Sequence, residues 1–381
     1  MDQKNFSKPL SLAKVQVTDA FWKKEMELVR TEVIPYQWNA LNDNVPGAAP
    51  SFCMRNYRRA GEVEKERKAK EDKFVQIKYP LDTFETLPKD GKMDGRFYGF
   101  LFQDTDFAKW VEAVAYSLTQ HPDPELEKTA DEAIEVVCAA QREDGYLDTY
   151  YLINDQDMIF TNLKDNHELY CFGHLTEGAV AYYQATGKDR LLKAAERFAD
   201  FIASKLGHGE GKKAGYPGHE IAEMALMRLY DLTGEQKYAT AAASVFDVYM
   251  TGLYYRNVPV DLNYGHQQTL VGMTSFEVIH EDVINSLVPL YDFLYAYLQK
   301  EKPEKMTIYA DAFKKCADNI IANGVPHNNW NLLQAHFIMN IALILEDDAK
   351  YADGKGRQYY IDYLVNQSSI RQWSLKKLAD Y

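Results

Sequence analysis

The residues of this chain that could do chemistry gather in a few short stretches. Asn166-His167-Glu168-Leu169-Tyr170-Cys171-Phe172-Gly173-His174 and Gly215-Tyr216-Pro217-Gly218-His219 set imidazoles and carboxylates where helical patterns begin. Gln103-Asp104-Thr105-Asp106 ahead of Lys109-Trp110, and Asp144-Gly145-Tyr146-Leu147-Asp148-Thr149-Tyr150, repeat the mixture of acids and aromatic rings. Backbone N–H groups at a helix start lack intrahelical acceptors, so polar side chains beside them suit a hydrogen-bonding ligand.

Each group has a bland reading beside the functional one. His167, Cys171 and His174 fall at i, i+4 and i+7, one face of a helix and superficially a zinc arrangement. Helical registration alone gives that spacing, so no metal is assigned. Cys171 with Phe172 reads as packing, and His174 as an anchor of helix ends. His219, between Pro217-Gly218 and an apolar helical run, reads as a ligand contact or an N-terminal cap. Gln37 beside Trp38 pairs an amide with an aromatic face, which suits a sugar, although Trp38 can equally be core. Asp104 and Asp106 read as caps of the helix that follows them. Glu168, Glu177, Glu220 and Glu223 lie near the same mouths, the last three as caps or ion-pair partners.

The elements that must position these groups are helices. From about Asp106 the apolar residues recur at three- and four-residue spacing, interrupted by Gly, Pro or Asp. The spacing predicts helices over Trp110–Thr119, Leu126–Ala140, Leu175–Ala185, Leu191–Leu206, Ile221–Leu232 and Tyr238–Met250, then Phe276–Tyr297, Lys305–Ala322 and Trp330–Leu345. Two Thr-Gly turns, at Gly187 and Gly234, lie 47 residues apart, a period of stacked helical hairpins. Both glycines fit left-handed C-caps. The first hundred residues are mixed: Leu12–Trp22 alternates with period two, Glu25–Asn39 is a helix broken at Pro35, and residues 66–95 are loop-like. The expectation is an all-α chain, an (α/α)6-like helical toroid with a mixed N-terminal segment. Its pattern stops in mid-helix at Trp373–Tyr381, as in an incomplete or chimeric sequence.

Composition narrows the partners. A net charge of −13 opposes binding to phosphate backbones and anionic lipid, which argues against nucleic acid and membrane. The charged run Glu64–Lys73 alternates sign and reads as a solvated helix or mobile loop. The chain holds 27 Tyr, 18 Phe and 5 Trp, rings that suit carbohydrate or serve as interhelical filler. Cys53, Cys138, Cys171 and Cys316 are widely spaced, which predicts free thiols. With no apolar signal core at the N-terminus, a cytoplasmic protein is the expectation.

Several ordered motifs carry a resemblance. Thr18-Asp19-Ala20-Phe21-Trp22, Pro35-Tyr36-Gln37-Trp38, His167-Glu168-Leu169-Tyr170 and Gly218-His219, together with the stretches above, resemble glycoside hydrolase family 127, the retaining β-L-arabinofuranosidases, from about Val15 to about Met250. The resemblance implies an (α/α)6 toroid built from residues 1–255 and completed by further hairpins in 256–381. It implies a substrate that is an oligosaccharide or arabinose-containing glycan, held by Gln37, His167 and His219. The family cleaves with a zinc-bound cysteine thiolate from a Glu-x-Cys motif and a Cys-Cys pair. Neither motif occurs in this sequence, so no cofactor and no catalytic residue are assigned, and a non-catalytic or inert recombined toroid stands as the alternative. His280 is the nearest stand-in for a helix histidine of that family. Residues 276–381 are more weakly similar to alginate-lyase and heparinase-like polysaccharide lyases, through His327-Asn328-Asn329-Trp330 and Arg371-Gln372-Trp373. That similarity implies a third reading, a uronate lyase using Asn328 or Asn329 with His327 or His336. Oligomeric state is not legible.

Overall fold

The computed structural model describes residues 10–81, 84–85, 92–207, 210–213, 215, 217–219, 221–255, 284–323 and 329–367. Among them the chain is almost wholly helical, in the all-α class that its periodicity implies. It forms two compact units, Met1–Lys205 with Arg228–Tyr238, and Leu206–Met227 with Ala239–Tyr381.

The first unit opens with a 3-10 turn at Leu12–Lys14, then helix α1 (Ala20–Leu28), a π-helical turn (Val29–Val33) and α2 (Ile34–Leu41). The period-two reading of Leu12–Trp22 is corrected here. The Asp19 carboxylate accepts from the backbone N–H of Phe21 at 2.9 Å and of Trp22 at 3.0 Å, capping a helix. The alternation misled because Phe21 and Trp22 are 61% and 60% exposed, so the apolar residues mark no buried face. Pro35 does not break the helix either. It sits in the first turn of α2, where its missing N–H is tolerated, and the backbone widens into the π turn before it.

Helix α3 (Cys53–Lys70) extends through the first part of the segment expected to be loop, and a 3-10 turn at Glu71–Lys73 ends it. Two-residue strands β1 (Phe84–Glu85) and β2 (Gly99–Phe100) pair antiparallel, with Phe84 opposite Phe100. Then come α4 (Asp104–Gln120), α5 (Pro124–Ala139), the short α6 (Thr149–Asn154), α7 (Glu168–Thr186) and α8 (Arg190–Lys205). Asp123 caps α5 by accepting from Glu125 N at 3.2 Å and Leu126 N at 3.1 Å, and Pro124 follows it at the first helical position. Gly187 ends α7 with φ +75°, and Gly234 ends α9 (Ala222–Thr233) with φ +72°, the left-handed caps that the two Thr-Gly turns predict.

Helices α4 and α7 form the most extensive helix–helix packing of this unit. Gly178 permits it: a Cβ there would lie 2.7 Å from the Ala108 carbonyl oxygen and 2.9 Å from Val111 Cγ1. On the other side of α4, Trp110 is buried, donates Nε1–H to the Ile34 carbonyl at 3.2 Å and stacks on Trp38 at 4.5 Å. Trp38 is therefore a packing residue.

The second unit contains most of α10 (Gln236–Tyr255), then α11 (Ile284–Glu301), α12 (Met306–Asn323), α13 (Asn329–Ile344) and α14 (Arg357–Asn366). The buried Asp247 accepts from the Tyr309 hydroxyl at 2.7 Å and pairs with Lys305 at 3.1 Å and Lys302 at 3.2 Å. Burial opposes its charge, but these donors prevail and hold the carboxyl well below its ordinary range. Residues 256–283, with His280, and 368–381, with the Arg371-Gln372-Trp373 motif, lie outside the described residues. No described helix is long and apolar enough to cross a membrane.

Candidate functional site

Most of the groups singled out by sequence sort into a polar surface and a buried acid cluster, both in the first unit. His167 is the N-cap residue of α7, with φ +60° and ψ 15°, a left-handed conformation that costs a residue with a Cβ some strain. Its Nδ1 lies 2.6 Å from the Asp165 carbonyl oxygen, a contact that puts the proton on Nδ1 and makes Nε2 the accepting atom. Three residues on, the Tyr170 ring stands 5.7 Å from the His167 ring, and the His174 ring stands 4.5 Å from Tyr170. His174 thus lies inside α7 and anchors no helix end. Burial, reinforced by the Lys109 charge, lowers its pKa to about 4, so the imidazole is neutral at neutral pH. From α4, the Lys109 ammonium donates to Thr105 Oγ1 at 3.2 Å and to the Tyr170 hydroxyl at 3.3 Å. Lys109 and Tyr170 stood in the quoted motifs with no role assigned to them; Lys109 reaches Tyr170 and His174 only once α4 lies against α7.

Below this surface the carboxyls of Asp104, Asp148 and Glu168 are all at least 95% buried. Asp104 does not cap its own helix, as the sequence suggested. It turns to α6, accepting from Thr149 N–H at 2.8 Å and Thr149 Oγ1–H at 2.6 Å. Burial still raises its pKa to about 6. Asp106 accepts from the Gln103 amide, and burial raises its pKa too. Glu168 accepts from the Tyr146 hydroxyl at 2.6 Å and from Phe160 N–H at 3.1 Å. Neither Asp148 oxygen accepts a hydrogen bond of good geometry; the Tyr151 N–H and the Cys171 thiol are the donors beside it. Burial, then the charges of Asp104 and Glu168, push its pKa well above the carboxylate range, so it keeps its proton. Asp148 sat in plain view in the Asp144–Tyr150 motif, but its burial beside two other carboxyls is a tertiary fact.

Gln37 is exposed on α2, and His219 is exposed three residues ahead of α9. Gln37 and His167 belong to the first unit and His219 to the second. Glu177 pairs with Arg228 at 3.1 Å, as an ion-pair partner should. Glu223 does not follow that expectation: it is 2% exposed, its Oε2 has no hydrogen-bond partner, and burial raises its pKa to about 7. Glu220, His327 and Asn328 lie outside the described residues. Asn329 opens α13, and His336 lies 3.2 Å from the Asn340 amide on the same helix. Among the described residues, no group of three His, Cys, Asp or Glu side chains could hold a metal ion.

The family model described as "Beta-L-arabinofuranosidase, GH127 catalytic domain" matches residues 14–283. The non-reducing end β-L-arabinofuranosidase of Bifidobacterium longum subsp. longum is 36% identical over 238 residues, 61% of this chain and 34% of that protein. A solved β-L-arabinofuranosidase from Geobacillus stearothermophilus T6 superposes with a TM-score of 0.59 at 32% identity, covering 91% of this chain and 55% of its own. A second solved β-arabinofuranosidase gives a TM-score of 0.58 at 24% identity over 88% of this chain and 50% of its own, a likeness of fold. The chain thus spans about a third of the curated relative and about half of the solved ones. A match over 91% of the chain reaches beyond residue 283.

Proposed function

The chain belongs to glycoside hydrolase family 127, and from that membership we propose that it acts on arabinose-containing glycans, with Gln37, His167 and His219 holding a terminal β-L-arabinofuranosyl group and retaining hydrolysis as the reaction. The observation that carries this reading is the family match over residues 14–283, which contains all three residues. The geometry of His167 supports it, because the contact of Nδ1 with the Asp165 carbonyl holds the imidazole in place at the start of α7.

The thiols of this chain do not suit the zinc-bound thiolate that the family resemblance implies. Cys53, Cys138, Cys171 and Cys316 are buried on four different helices. Burial raises the pKa of Cys138 to about 11 and those of Cys53 and Cys171 well above the ordinary thiol value, and among the described residues no three His, Cys, Asp or Glu side chains are grouped to hold a metal that would offset that cost. This observation favours a second reading, a non-catalytic module that binds the same sugar.

One experiment separates them. The protein is incubated with an aryl β-L-arabinofuranoside with and without added zinc, and titrated calorimetrically with arabinose oligosaccharides. Aglycone release that is lost in His167→Ala establishes the hydrolase. Binding without release establishes the sugar-binding module. Neither release nor binding removes both.

A further inference from the structure

Helix α1 and the π turn after it, nine residues and then five, bury no side chain at all. A helical stretch of that length is marginal in water unless one face is covered. The apolar residues it leaves in water are ordered. Phe21 and Leu28 stand two α-helical turns apart, Leu28 and Val33 one π turn apart, and Val33 and Tyr36 about one turn apart, so the four line one face of the rod made by α1, the π turn and α2. The π turn keeps them in line, since a continuous α-helix would swing Val33 about 140° away from Leu28. Phe21 is 61%, Tyr36 58% and Leu28 48% exposed.

The two flanks of this strip differ. Trp22 and Val29, both exposed, widen it on one side. On the other side the exposed Lys24 and Glu32 lie two turns apart, and neither makes a salt bridge among the described residues. That arrangement is its own complement. A second copy laid antiparallel on the strip, about a twofold axis near Leu28, sets Leu28 against the partner's Leu28, Phe21 against the partner's Tyr36, and Lys24 against the partner's Glu32. The six apolar side chains expose roughly 600 Å², so two copies bury about the 1,200 Å² at which specific interfaces begin. A net charge of −13 opposes an anionic lipid surface as the cover.

We infer that the face carrying Phe21, Leu28, Val33 and Tyr36 is an interface between two copies of this chain, packed antiparallel across a twofold axis and held in register by reciprocal Lys24–Glu32 ion pairs. The inference does not depend on the sugar reading given above.

The test is sedimentation of the full chain over a concentration series. A monomer–dimer equilibrium with a micromolar dissociation constant is expected, because the area is at the small end for a specific pair. Leu28→Asp sets two carboxylates against each other at the axis and raises that constant by about 100-fold or more. Lys24→Glu raises it about tenfold, and Glu32→Lys added to it restores the parent affinity. Since α1 buries nothing, these variants should keep the parent's far-ultraviolet circular dichroism; if Leu28→Asp does not, the two charge reversals carry the test. A monomer at every concentration overturns the interface, whatever else covers the face. So does a dimer indifferent to Leu28→Asp, or one that the charge reversals do not weaken and restore in turn.

Discussion

Replacing Glu223 by Gln should make the protein more stable at neutral and alkaline pH, and the amount follows from one side chain. Glu223 is buried in the first turn of α9, and only its own backbone N–H favours the charged form. Burial therefore dominates and lifts the pKa from 4.5 to about 7. A carboxyl whose folded pKa exceeds its unfolded one binds more protons when folded. Its contribution is whole below about pH 4.5 and is lost as pH climbs through about 7. The gap of about 2.5 pH units, at 1.36 kcal/mol per unit, corresponds to roughly 3 kcal/mol of stability lost between those limits. Glutamine keeps the shape and carries no charge at any pH, so the variant escapes this loss. The measurement is a pair of urea unfolding curves for parent and Glu223→Gln at pH 4.5, 6, 7 and 8. The variant should gain on the parent progressively, by about 3 kcal/mol at pH 8 relative to pH 4.5. Parallel pH profiles would refute the reasoning, because they would mean that Glu223 reaches water or a cation when it ionises.

Asp148→Asn should act in the same direction and for the same reason, raising the melting temperature at pH 7 while changing little at pH 4; a drop at both would show that the carboxyl has a partner that an amide cannot replace. Gly178→Ala drives a methyl group against the Ala108 carbonyl and should cost about 1–3 kcal/mol, read as a lowered urea midpoint. Asp123→Ala removes the cap of α5 and should cost about 1 kcal/mol, with Asp123→Asn restoring most of it.

The turn chemistry was legible because it is local. Gly187, Gly234 and the Asp123-Pro124 pair announce helix ends whatever surrounds them. Helix α3 was hidden by polar residues in its buried face. Asn56 spends its amide on the Tyr98 carbonyl at 2.8 Å, and Glu64 meets Arg67 and Gln156 at 3.2 Å, so positions that pattern reading treats as solvent are core. The same limit applies to the site. Motif residues such as His167 stood out by type, whereas Lys109 and Tyr170 matter because two helices from distant parts of the chain are pressed side by side. Asp104 shows the converse: by position it is a cap, and only the fold reveals that it serves α6 instead.

The close approach at Gly178 sets the spacing of the polar surface beside His167. Ala108, whose carbonyl meets that glycine, is the immediate neighbour of Lys109, and Tyr170 and His174 ride on the opposing helix. With backbone against backbone there is no slack between the two helices for a ligand to take up. The surface behaves as a fixed gauge, admitting what already fits, and a change of preference must come from exchanging side chains along the helices, since their separation is not adjustable.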